Sequence, residues 1–257
     1  MTPEERESAL RRLGLFHTLR HHQDLLAGAA KDNLGPQAFL ERLLDDELAF
    51  RHQRAVERLV KEAKFIVVKT LDTFDWAHPT RIPKNQILSF FGLDFIDKQE
   101  HIIFLGTGGV GKTHLAKALG FAACQREIKT LFTTAADLIN HLVAAQADHS
   151  LIKALRRYTQ PRLLIIDELG YLPLDKQGRD LFFQVISKRS QAGSMILTTN
   201  KPFKDWGEVF QDNAVASAIA ERLVEHGELI KIEGESHRLK RKRQKSLGLD
   251  GTQDDKK

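Results

Sequence analysis

The chain has 257 residues, of which 42% are hydrophobic and 28% charged, a balance typical of a globular protein with one large domain or a medium domain and a small one. No apolar run approaches the roughly 20 residues of a membrane span, and the N-terminus has no apolar export segment. We therefore expect a cytoplasmic protein without membrane contact. The single cysteine, Cys124, is expected to be a core residue. The net charge of +5 is carried by the last twenty residues, so nucleic-acid binding would have to depend on local patches rather than on overall charge.

Residues 1–68 have the pattern of an all-helical N-terminal domain, suited to oligomerisation or DNA contact. Thr2 and Glu5 form a capping box with Pro3 at the first helical position, and Gly14 ends or loosens that helix. A second helix is predicted to start at Gly35-Pro36, with leucines at helical spacing to about residue 64.

Four cations of this second helix recur at helical spacing. Arg51, Arg54, Arg58 and Lys61 fall on one face with few acids between them, which could follow a phosphate backbone. A solvated helix face is the equally weighted alternative.

Residues 69–100 are predicted to be a connector packed on the following domain. Prolines interrupt the helical pattern, and the aromatic residues indicate packing rather than a loose linker: Phe74, Trp76, Phe90, Phe91 and Phe95. A part for these aromatics in holding a nucleotide base is the second possibility.

From residue 101 to residue 237 the sequence alternates strands with helices, which predicts an α/β domain with a five-stranded parallel sheet. We expect the second strand, 128–133, to separate the two strands that carry the chemical motifs. The predicted strands are 101–105, 128–133, 162–166, 194–199 and 228–232, and the clearest helices are Gly178–Arg189 and Ala214–Glu225. A basic, flexible tail is expected at 238–257.

The strongest motif is HIIFLGTGGVGKT, residues 101–113, in which an apolar strand runs through glycines into a helix. Glycines let backbone N–H groups turn toward a phosphate, and the helix N-terminus adds positive potential. Lys112 can reach the β- and γ-phosphates, and the Thr113 hydroxyl can ligate Mg²⁺. The phosphate loop, Gly106–Thr113, therefore predicts a nucleoside triphosphate site, for which the chain as a whole favours ATP, formed by Gly106, Thr107, Gly108, Gly109, Val110, Gly111, Lys112 and Thr113.

The second motif is RLLIIDEL, residues 162–169, a buried strand that ends in two acids. At the carboxyl edge of the sheet Asp167 would hold Mg²⁺, and Glu168 would polarise a water for attack on the γ-phosphate. The pair of motifs is typical of ATPases with a catalytic glutamate.

The third motif is SMILTTN, residues 194–200, whose Asn200 could bond the γ-phosphate or the attacking water; a turn is the alternative, because Asn-Lys-Pro also begins a loop. Two arginines could offset transition-state charge, Arg222 on a predicted helix and Arg238 after the last strand. If Arg222 cannot fold back onto its own nucleotide, it must serve a neighbouring subunit.

These segments resemble the IstB family, AAA+ ATPase helpers encoded beside the transposase of a bacterial insertion sequence. The resemblance covers about residues 70–242 and is carried by GTGGVGKTHLAKALG, LLIIDELGYLPL, FFQVIS, ILTTNKPFKDWGEVF and GESHRLK. It implies that the phosphate loop is Walker A, Asp167 with Glu168 Walker B, Asn200 sensor 1, Arg222 the arginine finger and Arg238 sensor 2. Thr107-Gly108-Gly109 departs from the Pro-Pro-Gly that is frequent in such relatives.

The resemblance further implies a homo-oligomer that assembles on duplex DNA with ATP and recruits or stimulates a transposase. A DnaC-like helicase loader of the same fold class is one alternative. An ATP-gated DNA scaffold with little turnover is another, against which Glu168 and Asn200 argue. The basic stretch KRKRQK, 240–245, is read as a soluble extension, with a DNA or transposase contact as the alternative.

Overall fold

The computed structural model describes residues 1–171 and 173–237, and it divides the chain into two compact units, Met1–Arg58 and Leu59–Lys257. The division falls ten residues before the boundary that the sequence suggested. Arg238 and the basic tail lie outside the described residues.

Three helices account for the first unit: α1 Pro3–Arg12, α2 Phe16–Lys31 and α3 Pro36–Glu62, the last of which runs past the division. The capping box is confirmed, because the Glu5 amide donates to Thr2 Oγ1 and the Thr2 amide to Glu5 Oε2. Gly14 has a φ of 69°, which ends α1 as predicted. The sequence analysis did not identify α2 as a separate helix.

A buried carboxylate holds α2 and α3 together inside this unit. Glu47 of α3 is 2% exposed and accepts hydrogen bonds from the amide and the hydroxyl of Thr18, at 3.0 and 3.1 Å. Arg51 donates to Glu47 at 3.4 Å and to the Gly14 carbonyl at 2.8 Å. Burial would raise the pKa of Glu47, but these hydrogen bonds and the charge of Arg51 outweigh it and lower the pKa.

The second unit is built on a parallel sheet, which confirms the predicted fold class. The strands are β1 His101–Leu105, β2 Thr130–Thr134, β3 Leu163–Leu169, β4 Ser194–Thr199 and β5 Gly227–Lys231. Their order in the sheet is β2-β3-β4-β1-β5, and each pairing of these strands is parallel. The helices are α4 Lys84–Ser89, α5 Asp94–Asp97, α6 Lys112–Gln125, α7 Ala135–Ala147, α8 Leu151–Thr159, α9 Lys176–Arg189, α10 Trp206–Phe210 and α11 Asn213–Glu225, with 3₁₀ turns at Phe90–Gly92 and Phe203–Asp205.

The expected position of the 128–133 strand was wrong. Strand β2 pairs only with β3 among the described strands, whereas β4 lies between β1 and β3. The reason is burial, since every residue of β4 is buried, as a central strand requires, while the last two residues of β2 are half-buried. One strand still separates the two motif strands, but it is the one that carries Thr198.

Both faces of the sheet are covered. One apolar cluster joins the sheet to α7, α8, α9, α10 and α11, and a second joins it to α6 and the connector. Phe74, Phe90 and Phe95 are buried in the second cluster, and Trp76 and Phe91 pack against it.

Cys124 is also a core residue, as expected. It is buried beside Leu59 and Ala63, and burial raises the pKa of its thiol to about 11. Among the described helices, none is long and apolar enough to cross a bilayer.

Replacing Glu47 by Gln should lower the free energy of unfolding by about 1–3 kcal/mol at pH 7, because Gln lacks the charge and half of the acceptor capacity. The folded pKa of Glu47 is lowered, so its contribution is complete above the unfolded value of 4.5 and is lost as the pH falls through the folded value. Urea unfolding of the full chain at pH 7 and pH 3 measures this. Asp45→Asn, at an exposed position of α3, is the control; an equal effect of both variants would contradict the prediction.

Candidate functional site

The phosphate loop lies between β1 and α6, at the carboxyl edge of the sheet. Gly109 and Gly111 have φ values of 82° and 102°, a left-handed conformation that favours glycine. Gly111 precedes α6, and among the described residues no side chain caps this helix start, so its first amides are left without a side-chain acceptor. A helix N-terminus of this kind favours an anion.

Neighbouring segments also require these glycines. A Cβ at Gly111 would lie 2.6 Å from the Phe74 ring of the connector, and one at Gly109 would lie 2.3 Å from the Ser236 hydroxyl. The sequence indicated that the glycines serve phosphate binding alone. The structure shows that they also leave room for the connector at Phe74 and for the segment at Ser236.

Lys112 projects into the loop that it follows. It is 6% exposed, and its Nζ donates to the carbonyls of Gly106 and Thr107, at 2.8 and 2.7 Å. The ammonium therefore lies within the curve of the loop, where a phosphate would meet it.

The Thr113 hydroxyl connects the loop to the acidic strand. It donates to Asp167 Oδ1 at 2.9 Å, and Asp167 is 3% exposed at the end of β3. The two sequence motifs, 54 residues apart, thus meet through one hydrogen bond.

Thr198 is the residue that the sequence analysis missed. Its buried hydroxyl donates to the same Asp167 Oδ1 at 2.5 Å and accepts the Glu168 amide at 3.0 Å. Thr198 thereby holds both acids of the motif from the neighbouring strand β4. The available signal was a hydroxyl residue near the carboxyl end of a buried strand, inside the motif that ends at Asn200.

Glu168 departs from regular strand geometry. Its φ is 64°, and the β3–β4 register shifts between Ile166 and Leu169. This bulge leaves the Glu168 side chain exposed while its neighbours Asp167 and Leu169 are buried. A positive φ costs conformational energy in residues other than glycine, and such residues concentrate at functional sites. The strained backbone of Glu168 is therefore consistent with a functional role for this residue.

Asn200 directly follows β4 at the same edge of the sheet. Its Oδ1 atom is buried without a hydrogen-bond partner among the described residues. A Cβ at Gly170, which follows β3, would lie 3.3 Å from that atom. A buried amide oxygen without a partner is unfavourable unless a polar group completes its bonding.

The segment after β5, residues 232–237, packs over the phosphate loop. The His237 amide donates to the Gly109 carbonyl at 3.1 Å, and the Thr107 hydroxyl donates to the Gly234 carbonyl at 3.2 Å. The connector contacts this segment, because the His78 imidazole forms a hydrogen bond with the Glu235 carbonyl at 2.8 Å. Arg238 follows directly but lies outside the described residues.

Arg222 lies away from this cluster. Its guanidinium donates to the Ala218 carbonyl one turn back at 3.0 Å and lies 4.9 Å from the centre of the Phe183 ring. Its helix α11 covers one face of the sheet, whereas α6 covers the other.

The cationic stripe of α3 is exposed at Arg51, Arg54, Arg58 and Lys61. Two of its members already have contacts in the first unit, since Arg51 bonds Gly14 and Glu47 and Arg54 lies 5.7 Å from the Phe50 ring centre. The stripe is therefore partly used to hold the helices together.

The sequence matches the family of IstB-like ATP binding proteins over residues 8–245. The chain belongs to this family. The putative ATP-binding protein of insertion sequence IS21 from Pseudomonas aeruginosa is 41% identical over 239 residues, covering 93% of this chain and 90% of that one. The corresponding protein of IS5376 from Geobacillus stearothermophilus is 42% identical, covering 84% and 86%.

A solved structure of the DnaC helicase loader has a similar fold. It superposes with a TM-score of 0.52 at 25% identity, covering 64% of this chain and 96% of that one. The IstB-like chain is thus an AAA+ P-loop protein, as its sequence indicated.

Replacing Thr198 by Val should free the Glu168 amide and leave Asp167 with one donor fewer. We expect a loss of about 1–3 kcal/mol in unfolding free energy and faster hydrogen exchange at the Glu168 amide. NMR-detected exchange measures the second effect. Thr198→Ser keeps the hydroxyl and should keep the amide protected; exchange that accelerates equally in both variants would rule out the bond.

Proposed function

We propose that this IstB-like protein binds ATP with Mg²⁺ and hydrolyses it while assembled as a homo-oligomer on duplex DNA, where it recruits the transposase of its insertion sequence. The observation that carries the proposal is the hydrogen-bonded chain from Thr113 through Asp167 to Thr198 and the Glu168 amide. It connects a phosphate-binding loop to an exposed carboxylate across two strands.

The residues fit a magnesium ion. Thr113 Oγ1 and Asp167 Oδ1 are hard oxygen donors 2.9 Å apart. Adjacent ligands of an octahedral ion at about 2.1 Å are about 3 Å apart, so both could hold one ion, directly or through water. Bound there, Mg²⁺ would offset charge on the β- and γ-phosphate oxygens.

The protein groups divide the remaining chemistry. Lys112 and the loop amides hold the phosphates, and Glu168 accepts a proton from the attacking water. Asn200, whose Oδ1 lacks a partner among the described residues, orients that water or contacts the γ-phosphate. Arg238, by resemblance sensor 2, follows a segment that packs on the loop at Gly109.

Arg222 would act on a neighbouring subunit. The support is its position on α11, where its described contacts are to Ala218 and Phe183 rather than to the phosphate loop. An arginine finger contributes about 10³–10⁵ in rate, so a finger supplied in trans would make hydrolysis depend on assembly.

The insertion-sequence relatives support a transposition role over that of a helicase loader. A nucleotide-gated scaffold remains the competing function from another class, because ATP and DNA binding need no turnover. The strained Glu168 backbone favours hydrolysis, because a scaffold has no need of an exposed carboxylate held in this conformation.

Glu168→Gln should leave ATP affinity unchanged and lower the hydrolysis rate by about 10²–10⁴-fold, since the amide cannot accept the proton. Phosphate release with and without long duplex DNA, together with nucleotide titration, measures both quantities. Glu225→Gln, at an exposed position of α11, is the control. A rate unaffected by Glu168→Gln would favour the scaffold.

Arg222→Ala should retain ATP binding and lose DNA-stimulated hydrolysis. A mixture of this variant with Lys112→Ala tests whether the arginine comes from a neighbouring subunit. The Lys112→Ala subunit is expected to be defective in nucleotide binding but keeps Arg222. Restored hydrolysis in the mixture is expected, because the Lys112→Ala subunit supplies its arginine to the other.

Because Arg222 packs on Phe183, Arg222→Met is a second variant, whose long side chain can still pack on the ring without the charge. It should have a normal melting temperature and the same loss of hydrolysis. Normal DNA stimulation in Arg222→Met, or no rescue in the mixture, would refute the role in trans.

A further inference from the structure

A cavity of about 490 Å³ opens beside the edge strand of the sheet. It lies between the start of β2, helix α8 and the residues at and just after the end of α3. The backbone just after α3 lies against this edge strand, because the Phe132 amide donates to the Ala63 carbonyl at 2.9 Å. We call this cavity the edge groove.

The edge groove is strongly cationic. Its charged lining consists of one carboxylate, Glu62, and five cations: Lys64, Lys129, Lys153, Arg156 and Arg157. Within the described part of the chain none of these five cations is in an ion pair, and only Arg157 has a ring contact, 5.9 Å from the centre of Tyr158. Five cations gathered around one acid repel one another and destabilise the fold, so such a cluster indicates a site for an anionic ligand.

The geometry of α8 fixes three of these cations. Lys153, Arg156 and Arg157 recur at helical spacing on the face turned toward the groove, while Ala154, Leu155 and Tyr158 are buried in the core. The cations therefore stand on a rigid element rather than on a mobile loop.

The charge also acts on the protein itself. His141 of α7 contacts the Tyr158 hydroxyl at 2.9 Å. Burial lowers the pKa of His141, and the charges of Arg157 and Lys64 lower it further. Positive potential from both walls of the groove thus reaches a neighbouring helix.

We propose that the edge groove binds the phosphodiester backbone of duplex DNA. This inference rests on the proposed function and names the surface that would make the contact. Unpaired Lys and Arg side chains are the groups that neutralise phosphates and release their counterions. Arg51 of the α3 stripe, by contrast, already donates to Gly14 and Glu47.

The test uses the full chain, long duplex DNA and a non-hydrolysable ATP analogue. The triple variant Lys64→Ala, Lys153→Ala, Arg156→Ala removes three exposed cations of the groove. We expect affinity to fall by about tenfold or more, and the slope of log K against log salt to become shallower by up to about 2.7.

Two matched variants decide the interpretation. Lys176→Ala, Lys188→Ala, Lys204→Ala removes three exposed cations elsewhere in the second unit and should bind DNA as the unmodified chain does. Lys64→Arg, Lys153→Arg, Arg156→Lys keeps the charge and should also keep the affinity. Melting temperatures establish that each variant is folded.

The outcomes separate the groove from the proposed function. An unmodified chain that fails to bind DNA at saturating analogue overturns both. Normal DNA binding by the unmodified chain with an unchanged affinity and salt slope in the groove variant overturns the groove alone. Equal losses in the groove and control variants, or a loss confined to Arg51→Ala, Arg54→Ala, Arg58→Ala, would also overturn it.

Discussion

The structure of the site depends on one oxygen atom. Asp167 Oδ1 accepts the hydroxyls of Thr113 and Thr198, and it thereby joins the start of α6, the end of β3 and the end of β4. A carboxylate that is 3% exposed needs such donors, because burying it without them would be costly. The same Thr198 hydroxyl fixes the Glu168 amide, so the exposed carboxylate is positioned through the buried one.

The phosphate loop is held from outside as well as by its own sequence. The connector contributes Phe74 against Gly111, and the segment after β5 contributes Ser236 against Gly109. These contacts reach the loop from residues far apart in the chain. The glycines therefore have a packing role in addition to their conformational one. The segment that precedes Arg238 lies against the loop of the proposed nucleotide site.

The two proposed binding regions lie at opposite edges of the sheet, one at carboxyl ends of strands and the other at amino ends. The phosphate loop, Glu168 and Asn200 lie at the carboxyl ends of β1, β3 and β4, whereas the edge groove includes Lys129 before β2 and Pro161 before β3. A strand of five residues spans about 17 Å. DNA in the groove would therefore not compete with nucleotide for the same atoms, although both regions share β3.

The sequence by itself determined the alternating strands and helices of the second unit, and it predicted that the connector would pack on them and that the phosphate loop would meet the acidic strand. These features follow from local patterns: apolar runs, glycine spacing and acids after a strand. Only the tertiary structure decided that β4 rather than β2 separates the motif strands, that Thr198 shares Asp167 with Thr113, and that cations without an ion pair among the described residues gather at the sheet edge. Sheet order and groove composition arise from residues distant in the chain, and a crossover helix can return a strand to either side of its predecessor, so no local pattern records them.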